Sequence, residues 1–517
     1  MNSKEANLDN VHTIRLILGD QLSLYHSWFQ EEPSASILYV MIEAREEAEY
    51  ATHHIQKVIG FFSAMRSFAN SLKERGYNVY YLSLDDSDNL HSIPAQCLNL
   101  INLCKAKTFE YQEPDEWRLE QSMKVMCEAL PIPHRCVSTE HFMSDDAIWE
   151  SIFKGKKTRI METFYRVMRK HHGILMEGNE PLGGAWNFDK NNRKSLPKSL
   201  DIPAPLLFTH DVSDIHEMIK SANIKTIGIV DPLKFSWPIS QEESHLLLQY
   251  FADHLLHNFG TYQDAMTIHS WAVFHSRLSF SLNTKMLHPK EVIDAALHAW
   301  KKYPERISIS QVEGFTRQIL GWREYMRGIY REYMPEYANK NFFEHKRALP
   351  SWFWTGETEM QCLSTTIKQS LEHAYAHHIQ RLMITGNFAL LAGIHPDEVD
   401  AWYLGIYIDA LEWVEMPNTR GMSQFADGGI VGTKPYVSSA SYINSMSDFC
   451  KSCAFNPKKK VGEDACPFNS LYWHFYNRNR HLLADNPRIG MMYSVWDKMQ
   501  NKQELLNQAE QFLEKLH

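Results

Sequence analysis

The sequence predicts two structural units, an N-terminal α/β unit on a parallel, Rossmann-like sheet and a large all-α unit after it. Three observations lead there. From residue 12 to 140, short apolar runs alternate with helical patterns, the rhythm of successive βαβ units. From about Glu242 onward helical spacing runs almost unbroken, with no comparable strand alternation. Between them lies a Gly-, Pro- and Asn-rich stretch with basic clusters. The boundaries read as 1–140 for the α/β unit, 141–240 for a connector and 241–517 for the helical unit.

Taken in order, HTIRLIL reads as a strand that stops at Gly19-Asp20, and SILYVMIEA as a second. The stretch from Glu46 to Gly76 reads as one long amphipathic helix, with Ile55, Ile59, Phe62, Met65 and Phe68 three or four apart. NVYYLSL, KTFEYQE and HRCVSTE are further strands. Ligands of such sheets sit beyond the carboxyl ends of the strands, which points to Asp20 and the Glu43 to Tyr50 region. The first turn has no G-x-G-x-x-G, so a dinucleotide pyrophosphate is poorly supported there.

From Phe153 to His172 there are seven Lys or Arg, two His and one Glu, and Lys190, Arg193, Lys194 and Lys198 follow. A solvated helix face and a phosphate-contacting surface both fit this composition. The net charge of −9 excludes a protein coated in positive charge but leaves a local basic patch open. The content of 44% hydrophobic residues supplies a sizeable core, to which most of the 14 Trp, 23 Tyr and 26 Phe are assigned. The N-terminal residues lack a leader pattern and no apolar run is long enough to cross a bilayer, so a cytoplasmic protein with no membrane association is expected.

Of eight cysteines, Cys97, Cys104, Cys127 and Cys136 lie in the sheet unit without ligand-like spacing. Cys450, Cys453 and Cys466 form C-x2-C-x12-C, and Cys362 is a fourth thiol in the same unit. A C-x2-C pair lets two thiolates grip one metal centre from one turn. Structural zinc and an iron–sulfur cluster both suit that spacing, and the Pro after Cys466 tilts towards the cluster.

Chemistry concentrates between His373 and Glu415, which reads as two helices joined at Gly393 to Pro396. The first carries His377, His378 and Arg381; the second carries Trp402, Tyr403, Asp409 and Glu415. Imidazoles to move protons, aromatic rings to carry electrons and carboxylates to meet a cofactor make this stretch look like redox or photochemical equipment.

Four segments resemble one family. FHSRLSFSLN at 274–283 is similar to the flavin-phosphate segment of photolyases and cryptochromes, and EGFTRQILGWREY at 313–325 to their E-x-x-x-RQ-(I/L)-x-WRE signature. The double-histidine stretch and IDALEWVE stand where that family encloses its flavin. With the four cysteines and the GDQLS start, the chain resembles the bacterial iron–sulfur branch (FeS-BCP or CryPro proteins), the prokaryotic (6-4) photolyases, over nearly its whole length.

The resemblance implies a photolyase/cryptochrome fold, FAD in the helical unit, a 4Fe-4S cluster on Cys362, Cys450, Cys453 and Cys466, and a 6,7-dimethyl-8-ribityllumazine antenna in the sheet unit. It implies light-driven repair of pyrimidine (6-4) photoproducts in damaged DNA, with the lesion flipped out of the duplex. FAD contacts are expected from His275, Ser276, Leu278, Ser279, Glu313, Arg317, Arg381, Asp409 and Glu415, and antenna contacts from Asp20, Glu47 and Tyr50. A (6-4) repair must move a hydroxyl group, which calls for a proton donor. On an ideal helix His378 shares a stripe with Tyr375 and Leu382 while His377 lies nearer Arg381, so His378 is expected as donor and His377 as its support. Glu415 stands where other photolyases carry an Asn, opposite the flavin ring. Trp402, Tyr403 and Trp354 match the branch's electron route. Tyr436, Tyr442 and Lys434 match its lesion pocket, and Lys156, Lys157 and Arg193 are candidate DNA contacts. Asp189 and Asp264 could hold a Mg2+ near phosphate, though their spacing does not demand it. A monomer is expected. The rival readings are a blue-light receptor of the same fold without repair, and an iron–sulfur nucleic-acid-binding module.

Overall fold

The computed structural model describes residues 6–516; the first five residues, part of the N-terminal reading above, lie outside it. Five strands, β1 (Thr13–Leu16), β2 (Ile37–Ile42), β3 (Val79–Leu82), β4 (Thr108–Gln112) and β5 (His134–Val137), form one sheet in the order β3-β2-β1-β4-β5. Every pairing is parallel. The alternation along β2 shows why the strand is apolar throughout. Leu38, Val40 and Ile42 pack on one face against Leu100 and Met123, while Tyr39 and Met41 pack on the other against Ile59 and Phe62. A strand buried on both faces has no polar side to show. Strand β5, at the edge, is the exception and carries exposed His134, Arg135 and Cys136.

Helices α1 (Arg45–Glu49) and α2 (Ile55–Glu74) replace the single long helix expected from the sequence. The chain turns between them, and His54 restarts the helix by accepting the Gln56 backbone N–H on Nδ1. Helices α3 (Ile93–Cys104) and α4 (Trp117–Glu128) cover the opposite sheet face. The strand order reverses about β1, whose carboxyl end leads to Asp20, so the crevice opens there.

In residues 141–240, α5 (Asp146–Phe153) and α6 (Met161–His172) pack into the core of the helical unit, whereas α7 (Ser213–Ser221) lies on α2. The basic stretch therefore divides. Arg169 is fully buried and donates to the carbonyls of Ile174, Leu175 and Trp186, and Arg159 pairs with Glu332. Lys154, Lys156 and Lys157 stay exposed.

The helical unit is built around the segment Asn387–Ala392, all six residues of which are buried. A helix buried all round reads as apolar all round. In four places among the described residues, Phe251–Leu255, Arg317–Arg323, Arg381–Gly386 and Pro417–Ser423, the helical hydrogen bonds widen to i→i+5. Such widenings are often found at functional sites.

The His373 to Glu415 stretch departs from the two-helix reading. Helix Gln361–His373 ends at Ala374, which takes a left-handed conformation (φ 52°). Tyr375 to His377 are non-helical, and helix resumes at His378. The helix Pro396–Ile406 stops at extended Tyr407, and helix resumes at Glu412. The two breaks are joined, because Ile408 N–H donates to the Ala374 carbonyl at 2.9 Å. The helical-stripe argument that separated His378 from His377 thus fails: His377 is the residue before the helix and not part of it.

Candidate active site and cofactor cavities

The paired breaks place three chain segments around one ion pair. Arg381, in the first turns of the resumed helix, meets Asp409 from the second break through Nη1–Oδ1 at 3.0 Å and Nη2–Oδ2 at 3.1 Å. Ser279, from the 274–283 segment, donates its hydroxyl to the same carboxylate, and Asn283 donates to the Asp409 carbonyl at 2.7 Å. The guanidinium is steered further by the Ala376 carbonyl (2.6 Å) and stacks 3.8 Å from the centre of the Tyr407 ring. Arg381 and Asp409, paired in the sequence reading, are therefore together, and Ser279 joins them.

His378 stands beside Arg381 with no hydrogen bond to its imidazole among the described residues. It is exposed to solvent, yet burial among protein atoms, then Arg381 and Arg193, lower it to about 4. Both are true of a side chain that lines a deep recess open to water. His377 is buried, and its ring lies parallel to that of His275 with centroids 4.3 Å apart. Among the described residues, neither ring nitrogen of His377 has a hydrogen-bond partner. Burying such nitrogens unpaired is unfavourable. Together with the Arg381–Asp409 pair they suit a polar ring system seated in the recess, so the residues fit the flavin expected there. Glu415 is buried, accepts the Thr419 hydroxyl and is pushed well above the usual carboxylate range by burial and by Asp400. Its surroundings favour the protonated form over the carboxylate.

Other expected contacts have different surroundings. Glu313 accepts from Tyr165 (3.2 Å) and from Phe188 N–H (3.1 Å) and lies 3.3 Å from Arg317. Arg317 in turn binds Asp189, which also accepts from Arg193 at 3.3 Å. These two residues tether the connector at 186–193, and their polar groups are engaged in doing so. Arg193 also stands 4.0 Å from Asp264, which accepts from Tyr442 at 3.3 Å. An arginine thus sits between the two aspartates offered above for a divalent cation. Leu278 is buried in the core, Ser276 accepts only from the Leu278 N–H, and His275 binds the Gln263 carbonyl. Tyr436 is half-buried at the edge of that core, and Lys434 is exposed.

Trp402 and Tyr403 are buried with ring centroids 5.4 Å apart, and Tyr407 lies 5.9 and 5.5 Å from them. Tyr403 donates to the Arg381 carbonyl at 2.6 Å, which ties this cluster to the recess. Trp354 is 43% exposed and follows Phe353, whose ring lies 5.1 Å from Trp402 and whose carbonyl accepts from its indole.

Asp20, Glu47 and Tyr50 come together at one cavity at the carboxyl ends of β1 and β2, floored by α2. Arg118 grips Glu47 at both oxygens (2.8 and 2.6 Å) and stacks 4.3 Å from the Tyr50 ring centre. Asp20 shares the Lys285 ammonium with Asp115, at 3.0 and 2.6 Å. Its apolar walls, from Phe61, Phe62 and Met65, and polar rim fit a flat heteroaromatic ring with a hydroxylated tail.

Cys362, Cys450, Cys453 and Cys466 line one small cavity, closed by Met360, Ala440, Ile443, Phe449 and Phe455. Among the described residues, no three His, Cys, Asp or Glu are grouped to hold a single metal ion. Burial and mutual repulsion push Cys362 well up, Cys466 to about 12 and Cys450 to about 11. Four thiols in a common cavity, three of them disfavoured as thiolates there, fit a cationic centre between them.

Sequence reading missed Ser279's tie to Asp409, Tyr407 under Arg381, and Lys285, Lys57 and Glu116 at the sheet-unit cavity. Only Lys285 carried a signal, two residues beyond FHSRLSFSLN.

Comparison with known proteins follows the same lines. The family model described as deoxyribodipyrimidine photo-lyase-related protein matches residues 15–235. The chain is 43% identical to the (6-4) photolyase of Agrobacterium fabrum over 508 residues, 97% of this chain and 99% of that protein. Among solved structures, a bacterial class III photolyase of Agrobacterium tumefaciens superposes with a TM-score of 0.55 at 18% identity, covering 84% of this chain and 83% of that one. The cryptochrome of Synechocystis sp. PCC6803 gives 0.56 at 12% identity, over 95% of this chain and 99% of that one.

Proposed function

The chain belongs to the (6-4) photolyase family, and from that membership we propose that it repairs pyrimidine (6-4) photoproducts in DNA with light, using FAD held in the Arg381–Asp409 recess. The observation that carries the reading is His378, an unpartnered imidazole standing open in that recess beside Arg381. Reduced flavin, when bound, supplies the light-excited electron for the lesion. The residues do the rest. Arg381 and Asp409 fix charge beside the cofactor and orient it through Ser279 and Asn283. His378 relays the proton that the migrating hydroxyl group requires, taking it up once the negative charge of bound cofactor and DNA offsets the arginines that lower it, and the neighbouring His377 is stacked on His275. Glu415 exchanges a proton with the flavin ring. Tyr436 and Tyr442 wall the flipped base, and Lys434, Lys156, Lys157 and Arg193 meet phosphates.

Trp402 and Tyr403 carry electrons to the flavin, with Trp354 as the exposed terminus. The four-cysteine cavity holds a 4Fe-4S cluster that fastens the helix of Cys362 to the 450–466 segment, and the sheet-unit cavity holds a ribityllumazine antenna. A divalent cation between Asp189 and Asp264 would have to displace Arg193. The protein acts as a cytoplasmic monomer; among the described residues, no helix is long and apolar enough to cross a membrane. The test is illumination of the reduced protein with oligonucleotides carrying a (6-4) photoproduct or, separately, a cyclobutane dimer. Restoration of the first supports the proposal. A protein that photoreduces its flavin and restores neither is a light receptor, and the repair reading falls.

A further inference from the structure

One segment, Tyr407 to Leu411, serves both the sheet-unit cavity and the Arg381–Asp409 pair, and it is held from the cavity side. Leu411 lines the cavity, while two residues earlier Asp409 turns its carboxylate to Arg381 and Ser279. Lys57 is buried on the face of α2 that lines the cavity. Its ammonium donates to the carbonyls of Leu404 at 2.8 Å, before the break, and Ala410 at 2.7 Å, within it and next to Asp409. Glu116, also at the cavity, accepts the Glu412 backbone N–H at 2.8 Å. The non-helical piece from Tyr407 to Leu411 is thus gripped at both ends by two charged side chains of the other unit.

Those bonds are unusual in kind. A buried ammonium commonly pairs with a carboxylate, because burial disfavours the isolated charge. Among the described residues no carboxylate lies within ion-pair range of Lys57, and backbone carbonyls alone fix its position. A helix N-terminus and a helix C-terminus meet here, and the ammonium fills the gap between them. Charge-assisted bonds of this type are about twice as strong as neutral ones.

We propose that Lys57 is a positioning residue for the flavin pocket, setting through the Leu404 and Ala410 carbonyls where Asp409, and with it Arg381, meets the cofactor. The inference rests on the flavin reading above. It assigns to the wall of one cavity a role in the other, since Lys57 is not itself in the recess. A side chain of equal length without donors would fill the same volume and leave both carbonyls unmatched, so the Tyr407–Leu411 piece would shift and carry Asp409 with it.

The experiment is Lys57→Met in the full chain, followed by the rate at which bound flavin is released, the absorption fine structure of the flavin, lumazine binding by fluorescence, iron content and far-UV circular dichroism. Flavin release about tenfold faster, the loss of one such charged anchor, with a changed flavin spectrum and unchanged iron and dichroism, is the expected result. Release and spectrum identical to wild type overturn the proposal. Loss of lumazine alone overturns it too and makes Lys57 a ligand of the cavity. If the variant does not fold, wild-type flavin release is followed from pH 7 to 10. Burial lowers the Lys57 ammonium to about 8, opposed by Glu116, Asp409 and Glu415; His53 at the same cavity is itself held well below the usual imidazole range by burial, Lys57 and Arg118, so it stays neutral over this window. Release should then quicken as pH passes about 8, and a flat profile overturns the assignment. A wild-type protein that neither carries nor takes up flavin removes the flavin reading itself, which is a separate failure.

Discussion

Replacing Asp409 by Asn tests the recess most directly, because it removes one charge and almost no volume. Breaking a fully buried ion pair by deleting one partner costs about 3–5 kcal/mol, whereas exposed pairs are worth about 0–1 kcal/mol. The Arg381 and Asp409 side chains are 20% and 8% exposed, so the pair lies between these limits. Asn keeps one carbonyl oxygen for the two guanidinium N–H groups and the Ser279 hydroxyl that now converge on the carboxylate. A net loss of about 2 kcal/mol follows, or roughly 30-fold in FAD affinity. The assay is equilibrium FAD binding by fluorescence for wild type, Asp409→Asn, Arg381→Met and the double variant. A cycle isolates the pair from whatever else each residue does. A coupling of about 2 kcal/mol is expected, and additivity within about 0.5 kcal/mol would refute the recess as a charge-organised flavin site.

Three further outcomes follow from the same structure. His378→Ala should retain flavin and iron while (6-4) repair falls by about 10²–10⁴, the usual worth of a general acid; turnover within a few-fold of wild type would remove His378 from its role. Cys362→Ser should lower iron content and loosen the C-terminal segment, while Cys136→Ser, at the exposed sheet edge, should leave iron unchanged; zinc without iron in the wild type would contradict a cluster. Burial lowers His54 and His275 to about 4 and holds His377 well below the usual imidazole range. Their unfolded value is about 6.5, so the stability tied to their neutral forms is complete above that pH and declines as pH falls from about 6.5 towards 4. Thermal midpoints measured from pH 7.5 to 4.5 should drop across that window, and a constant midpoint would deny it.

The sheet was legible because its signals are local. Apolar runs of strand length stand between turn residues, as in HTIRLIL before Gly19-Asp20, and all five strands lie where those runs occur. The cysteine set was half legible. C-x2-C announces itself at 450 and 453, but Cys362 is remote in sequence and reaches the cavity only through the fold. The breaks at 374–377 and 407–411 could not be read. Ala374 takes a positive φ that Gly or Asn usually marks, and Tyr407 is as apolar as the helix before it. What holds them apart is tertiary: Ile408 bonded to Ala374, and Lys57 bonded across the second break. Lys57 and Glu116 gave no pattern at all, because a single charge in a helix ordinarily faces water.

The bond from Ile408 N–H to the Ala374 carbonyl joins two helix interruptions that carry His377 and Asp409, with His378 the first helical residue after one of them, and Ile408 is fully buried. Its amide proton can exchange with solvent deuterium only when the two interruptions part. The exchange rate at this one backbone position is therefore a direct gauge of how often the recess opens, readable in the dark and without substrate.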